Sequence, residues 1–159
     1  YKRVDLAVQA CTRLQRPLIV IGDGEDRRRL EALAGPSVRF LGRQEDATVR
    51  ELLSRSRALL FPGEEDFGIV PVEAMSAGVP VIAYGRGGAR ETVRDGVTGL
   101  LFAEQTPEAL EEAIRRFESC EATFDPAALH AHAEHFSEER FARGMLAEVE
   151  KGFQELAAR

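Results

Sequence analysis

Short apolar runs alternate with stretches of helical spacing along almost the whole chain. Val4 to Leu14 places apolar residues at helical intervals. Pro17-Leu18-Ile19-Val20-Ile21 is a compact apolar run that stops at Gly22 and reads as a buried strand. Asp26 to Ala34 is helical and ends at Gly35-Pro36. Val38 to Leu41 is a second strand, closed by Gly42, and Ala47 to Arg55 a helix. Ala58 to Phe61 is a third strand, broken by Pro62-Gly63, and the helix Ile69 to Ala77 stops at Gly78. Pro80 to Tyr84 is a fourth strand, Arg90 to Arg94 a short helix, Asp95-Gly96 a turn, and Gly99 to Phe102 the last strand. Helices starting at Pro107, Pro126 and Ser137 complete the chain. Strands that are apolar throughout and alternate with helices predict an α/β fold: one Rossmann-like parallel sheet covered on both faces. Ligands of such sheets sit at the carboxyl ends of the strands, so the loops after each strand are the places to search.

Composition narrows the function. The chain has 159 residues, 44% hydrophobic and 30% charged, which suits one globular domain over 1–159. A formal net charge of -6 lacks the basic excess of a nucleic-acid binder, so no nucleic-acid partner is expected. No apolar run approaches the roughly 20 residues of a bilayer span, and no signal peptide is visible. Two cysteines, Cys11 and Cys120, make no disulfide framework and fit a cytoplasmic location. Cys11 shares a helical face with Val4, Val8 and Leu14 and reads as a small buried hydrophobe.

Four loops follow strands: Gly22-Asp23-Gly24, Gly42-Arg43-Gln44, Pro62 to Gly68, and Gly85 to Gly88. Glycine lets a backbone approach a ligand closely, and a following helix offers unpaired N–H groups to phosphate. The first loop is not a dinucleotide fingerprint. Arg27 stands where its third glycine belongs, and the second strand ends in Gly42 rather than in an acidic ribose ligand. The third loop is more telling. Glu64-Glu65-Asp66-Phe67-Gly68 precedes a helix whose Pro71 is tolerable only in a first turn, so the helix starts near Gly68. The N–H groups of Phe67, Gly68 and Ile69 then form an anion site, with Glu65 about a turn before it and Glu73 a little over a turn inside it. A carboxylate accepts hydrogen bonds from vicinal hydroxyls, so two of them around a phosphate-binding helix end suit a nucleotide sugar. From chemistry alone, the same acidic residues could equally complement the helix dipole, with Glu73 merely solvated.

The run Glu65-Asp66-Phe67-Gly68-Ile69-Val70-Pro71-Val72-Glu73-Ala74-Met75, continued by Ala77-Gly78-Val79-Pro80-Val81-Ile82-Ala83, closely resembles the signature of family 4 glycosyltransferases. Further agreement lies in Val20-Ile21-Gly22-Asp23-Gly24, Val38-Arg39-Phe40-Leu41-Gly42, Gly87-Gly88 with Glu91, and Asp95-Gly96-Val97-Thr98-Gly99. The resemblance covers a core of about 1–117, leaving the helices of 118–159 outside it. It implies the nucleotide-sugar-binding, C-terminal half of a GT-B fold and a retaining transfer of a hexosyl group to an acceptor hydroxyl. By the resemblance, Glu73 holds the ribose hydroxyls and Glu65 the donor hexose. The backbone of Phe67, Gly68 and Ile69 meets sugar and diphosphate, and Gly42, Arg43 and Gln44 line the nucleobase. Gly22 contributes to the same donor site, and Lys2 neutralises the diphosphate. A second family cation, an arginine five residues before that lysine, falls ahead of Tyr1, and Arg3 faces away from Lys2 on a helix.

The resemblance also implies an N-terminal acceptor-binding half that this chain lacks, with any peripheral membrane contact made through that half. No metal or other cofactor is expected. His130, His132 and His135 lie near Glu134, but helical spacing sends His130 and His132 to opposing faces. Two rivals stand beside the transferase: a non-catalytic sugar-nucleotide-binding module and a nucleotide-sugar epimerase of GT-B type. The strand that carries the family arginine is the central one of a 3-2-1-4-5-6 sheet, and it too falls before Tyr1. The expectation is therefore that Pro17–Ile21 pairs directly with Ala58–Phe61, or that another segment or another chain fills the place between them.

Overall fold

The strands form where β-branched and large apolar residues run together, and the helices where local signals start them. The computed structural model describes residues 1–157, so the last two residues of the expected 1–159 domain lie outside it. Its elements are α1 (Val4–Leu14), β1 (Leu18–Ile21), α2 (Arg27–Leu33), β2 (Val38–Gly42), α3 (Asp46–Ser54), β3 (Leu59–Phe61), α4 (Ile69–Ser76), β4 (Val81–Tyr84), α5 (Ala89–Thr92), β5 (Gly99–Phe102), α6 (Pro107–Cys120), α7 (Pro126–Ala133) and α8 (Glu138–Ala157). Short 3-10 turns, Glu121–Thr123 and Glu134–Phe136, follow α6 and α7. Capping explains the sharp starts of α6 and α7. Thr106 accepts from the Ala109 amide at 3.2 Å and Asp125 from the Ala127 amide at 3.0 Å, each with proline at the first helical position.

All strand pairing is parallel, and helices flank the sheets, as the alternating pattern predicts. β4 is central to its sheet and its Val81, Ile82 and Ala83 are buried. Gly99 of β5 is obligatory there, because a side chain would run into the Val81 carbonyl oxygen. α1 packs on α6, and α4 packs on α7. A single apolar core joins Leu6, Ala10 and Cys11 of α1 to Met75, Ile82, Leu100, Leu110 and Leu129. α8 stands apart, with Phe141 68% and Phe153 69% exposed. Among the described residues, no helix is long and apolar enough to cross a membrane.

The expected direct pairing does not form. β1 pairs with β2, and β3 pairs with β4, but β1 and β3 do not pair with each other. Among the described residues no strand lies between them, so the sheet is two half-sheets. The expectation rested on the cost of burying unpaired backbone groups, and here those edges are only partly buried. Ile19 of β1 is 41% exposed, and Leu59 and Leu60 of β3 are half-buried. A cavity of about 760 Å³ opens at the β1 side, lined by Lys2, Val4, Ile21, Gly22, Leu30 and Phe40 among others. The cavity borders Val20 and Ile21 of β1 and Gly22 of the loop after it.

Two predictions follow from these environments. Extending the chain ahead of Tyr1 by a strand-forming segment that seats between β1 and β3 should raise the melting temperature. A gain of 1–2 kcal/mol corresponds to roughly 2–8 °C for a domain this size, and an unchanged melting curve would contradict it. Cys11 is 3% exposed, and burial pushes its thiol up to about 11. A thiol reagent at pH 8 should therefore modify native protein at the half-buried Cys120 well before Cys11. Peptide mapping after partial labelling would reveal equal modification if this is wrong.

Candidate functional site

The acidic loop begins where β3 ends. Pro62 and Gly63 are buried, and Gln105 Nε2 donates to the Pro62 carbonyl oxygen at 2.9 Å. A Cβ on Gly63 would lie 2.8 Å from Lys2 Cα and 3.0 Å from the Tyr1 carbonyl oxygen. The first residues of the chain thus rest directly on this loop, and only glycine permits it. That placement brings Lys2 Nζ to 3.2 Å from Glu65 Oε1, across 63 positions of sequence. The lysine side chain is 57% exposed and the glutamate 20%.

α4 starts at Gly68, whose φ of 78° is the left-handed conformation that glycine adopts freely. A Cβ there would also press on the Phe61 ring at 3.2 Å. Pro71 is buried in the first turn, as its chemistry requires. Among the described residues, the amides of Phe67, Gly68 and Ile69 find no acceptor. Phe67 is 44% and Ile69 64% exposed, so these amides edge an accessible surface. Glu73 is exposed on the second turn and has no partner among the described side chains.

The loop after β4 holds the acidic loop from behind. The Gly88 amide donates to the Glu65 carbonyl oxygen at 2.8 Å. A Cβ on Gly88 would collide with Phe67 Cα and its carbonyl oxygen, and one on Gly87 with the Glu65 carbonyl oxygen. The glycine pair was legible as a motif. Its task, letting two backbones touch, was not.

The loops after β1 and β2 form the other side. The Gly22 amide donates to the Gly42 carbonyl oxygen at 2.8 Å, which ties the ends of the two strands together. Gly42 is buried with φ 67°, and Gln44 Nε2 donates to the Leu41 carbonyl oxygen at 2.7 Å, while Arg43 is exposed. Arg27 closes the first loop by pairing with Asp23 and Glu31, and these carboxylates hold its guanidinium above its ordinary value. Sequence reading noticed Arg27 only as a departure from a glycine motif.

Lys2 and Glu65 are therefore brought into contact, Phe67, Gly68 and Ile69 form one helix end, and Gly22 and Gly42 are bonded. The large cavity gathers Lys2 and Gly22 but is not lined by Glu65, Glu73, Arg43 or Gln44. The histidines serve packing. His130 Nδ1 lies 2.9 Å from the Ser76 carbonyl oxygen and His132 Nε2 2.9 Å from that of Thr92. Among the described residues no group of three or more His, Cys, Asp or Glu could hold a metal ion.

The sequence profile of the family described as "Glycosyl transferases group 1" matches residues 1–138. The chain belongs to this family. The match of this group 1 glycosyl transferase chain runs past residue 117, where the motif resemblance stops, and takes in α7. The alpha-1,3/1,6-mannosyltransferase ALG2 of Homo sapiens is 32% identical, over 94% of this chain and 42% of its own. Sucrose-phosphate synthase of Thermosynechococcus elongatus superposes with a TM-score of 0.69 at 28% identity, covering 99% of this chain and 43% of that one. Anabaena Alr3699/HepE in complex with UDP gives 0.71 at 26% identity, with coverages of 96% and 46%. This group 1 chain thus spans less than half the length of these relatives, and its fold is that of the C-terminal Rossmann-like domain of GT-B enzymes.

The contact at Gly88 yields a prediction. Its φ is −62°, which alanine tolerates, so Gly88→Ala tests the steric contact alone. Overpacking of this kind typically costs about 1–3 kcal/mol. The variant's denaturant midpoint should fall accordingly, whereas Gly144→Ala, with nothing within 4 Å of its Cβ, should not lower it. Equal midpoints for Gly88→Ala and the parent would show that the two loops can part at no cost.

Proposed function

We propose that this chain is the donor-binding half of a retaining glycosyltransferase of family 4, which moves a hexosyl group from a nucleotide diphosphate sugar to an acceptor hydroxyl. The observation that carries the reading is the meeting of Lys2 with Glu65 beside the amino end of α4, whose first amides are unpartnered. A cation, a free helix end and a carboxylate are the three groups such a donor needs. The helix end and Lys2 would take the diphosphate and stabilise the negative charge that grows on it as the glycosidic bond breaks. Glu65 would accept hydrogen bonds from hexose hydroxyls and Glu73 from ribose hydroxyls. Gly42, Arg43 and Gln44 would border the nucleobase, with Gly22 fixing their loop through its bond to Gly42.

On this reading Lys2 has to leave Glu65 when the donor binds. An exposed ion pair is worth about 0–1 kcal/mol, so the exchange is cheap and frees the Glu65 carboxylate for the sugar. The acceptor site and its partner domain would lie in the part of the relatives that this chain does not match. Turnover would then need both halves, and this chain alone would bind donor without transferring.

The division of roles is testable. Losing a hydrogen bond to a charged group costs about 1.5–3 kcal/mol, or roughly ten- to a hundred-fold in affinity. By calorimetry, Glu73→Ala should lose that much affinity for free nucleoside diphosphate. Glu65→Ala should keep it and lose discrimination within a panel of GDP-, UDP- and ADP-sugars. Equal losses in both variants would overturn the assignment.

A further inference from the structure

α7 and the turn after it clamp α4 from end to end, although none of their residues belongs to the motifs that define the site. Pro126, at the start of α7, sits against Gly78 just past the end of α4, where a glycine Cβ would come within 3.1 Å of it. His130 Nδ1 reaches the Ser76 carbonyl oxygen in the last turn of α4. At the other end, the Phe136 ring meets Phe67 edge-on, with centroids 5.8 Å apart and planes at 67°. The two helices therefore run antiparallel, and the far end of the clamp touches the loop that opens α4.

His132 joins two arms that converge on that loop. Its ring packs edge-to-face on Phe136, with centroids 5.4 Å apart, and Phe136 bears on Phe67. Its Nε2 lies 2.9 Å from the carbonyl oxygen of the buried Thr92, so Nε2 carries the proton and donates. Thr92 Oγ1 donates to the Gly88 carbonyl oxygen at 3.0 Å, and the Gly88 amide donates to that of Glu65 at 2.8 Å. One arm is aromatic and ends at Phe67; the other is hydrogen-bonded and ends at Glu65. His132 is 8% exposed and its Nδ1 has no partner among the described residues. An apolar side chain would avoid that unmet acceptor, so the bond to Thr92 is what a histidine supplies here.

We infer that His132 and Phe136 are positioning residues for the donor site, which set the Glu65 carboxylate and the Phe67–Ile69 amides without touching the ligand. This rests on the donor-binding reading of the loop. Neither side chain lines the cavity, and both act through Phe67 and Glu65, which the proposed reading places against the donor.

The test uses the 159-residue chain, with UDP, GDP and ADP as probes and two readouts. In calorimetry, Phe136→Ala and His132→Phe should each weaken whichever nucleotide the parent binds by about two- to thirty-fold, the range of coupling carried by networks of packed side chains. Phe136→Tyr should restore the parent affinity. Ile114→Val, in α6, provides a core defect remote from the loop and should lower the melting temperature without changing affinity. In hydrogen exchange, peptides covering 64–69 should exchange faster in Phe136→Ala and His132→Phe, and peptides of α6 should not. Parent-like binding together with parent-like exchange at 64–69 overturns the inference. If Ile114→Val weakens binding as much as the other two, the effect is general destabilisation, and the inference also fails. If the parent binds none of UDP, GDP and ADP, the donor reading fails. Exchange then decides by itself whether the clamp holds the loop.

Discussion

Everything in this chain depends on how α1 packs across a broken sheet. β1 and β3 share no hydrogen bonds, so backbone pairing does not hold the two half-sheets in register. What does is a helix with Leu6, Val8, Ala10 and Cys11 buried, packed on α6 on one side and approaching β1 and β2 on the other. Burying a Leu or Val side chain contributes about 1.5–3 kcal/mol, against a net stability of about 5–15 kcal/mol for a whole domain. A few α1 side chains therefore decide whether the two halves stay together. The same helix places Lys2, which sits just before its first turn and lies on Gly63. The fold and the cation of the site share one support.

The site itself is built from backbone more than from side chains. Gly63, Gly68, Gly87 and Gly88 each occupy a place where a Cβ would strike another segment. Their absence of side chains lets the N-terminal segment, the acidic loop and the loop after β4 meet at van der Waals distance. A binding group made of amides has no rotamers to freeze, so its geometry is as good as the packing behind it. That is why the support from Gly88 and from α7 matters. A shift of the loop by a fraction of an ångström would move the Phe67, Gly68 and Ile69 amides together.

Legibility followed the physics of each feature. Strands β1 to β5 were readable because apolar runs between glycines and prolines have few alternatives, and α4 because Pro71 tolerates only a first turn. The glycine loops and the glutamate pair were readable as motifs. The contact of Lys2 with Glu65 was not, since nothing local records a meeting across 63 positions. Nor was the open break between β1 and β3. The argument for closure assumed fully buried edges, whereas Ile19 of β1 is 41% exposed. His132 stood out only as one of three histidines weighed for metal, and Phe136 not at all. A histidine among alanines and a phenylalanine before a helix are ordinary residues until their partners Thr92 and Phe67 are known.

An acidic loop is an odd place for an anionic ligand, and the balance of charges shows why it can serve. Glu64, Glu65 and Asp66 stand together in a protein of net charge -6, so the long-range field repels a diphosphate. Glu64 and Asp66 are exposed, however, and solvent and salt screen such charges over about 8–10 Å. The attractive groups act at contact, where screening is weakest: three free amides carrying the positive end of α4, and the Lys2 ammonium. Without ligand that ammonium rests on Glu65 and offsets its negative charge. When a diphosphate takes the ammonium, Glu65 regains its charge close to the ligand, and the cost falls unless hydroxyl donors meet the carboxylate. A bare phosphate brings none, whereas a nucleotide sugar brings several on the hexose. On the proposed reading, the paired lysine and glutamate would favour a ligand that carries both phosphate and sugar over one that carries phosphate alone.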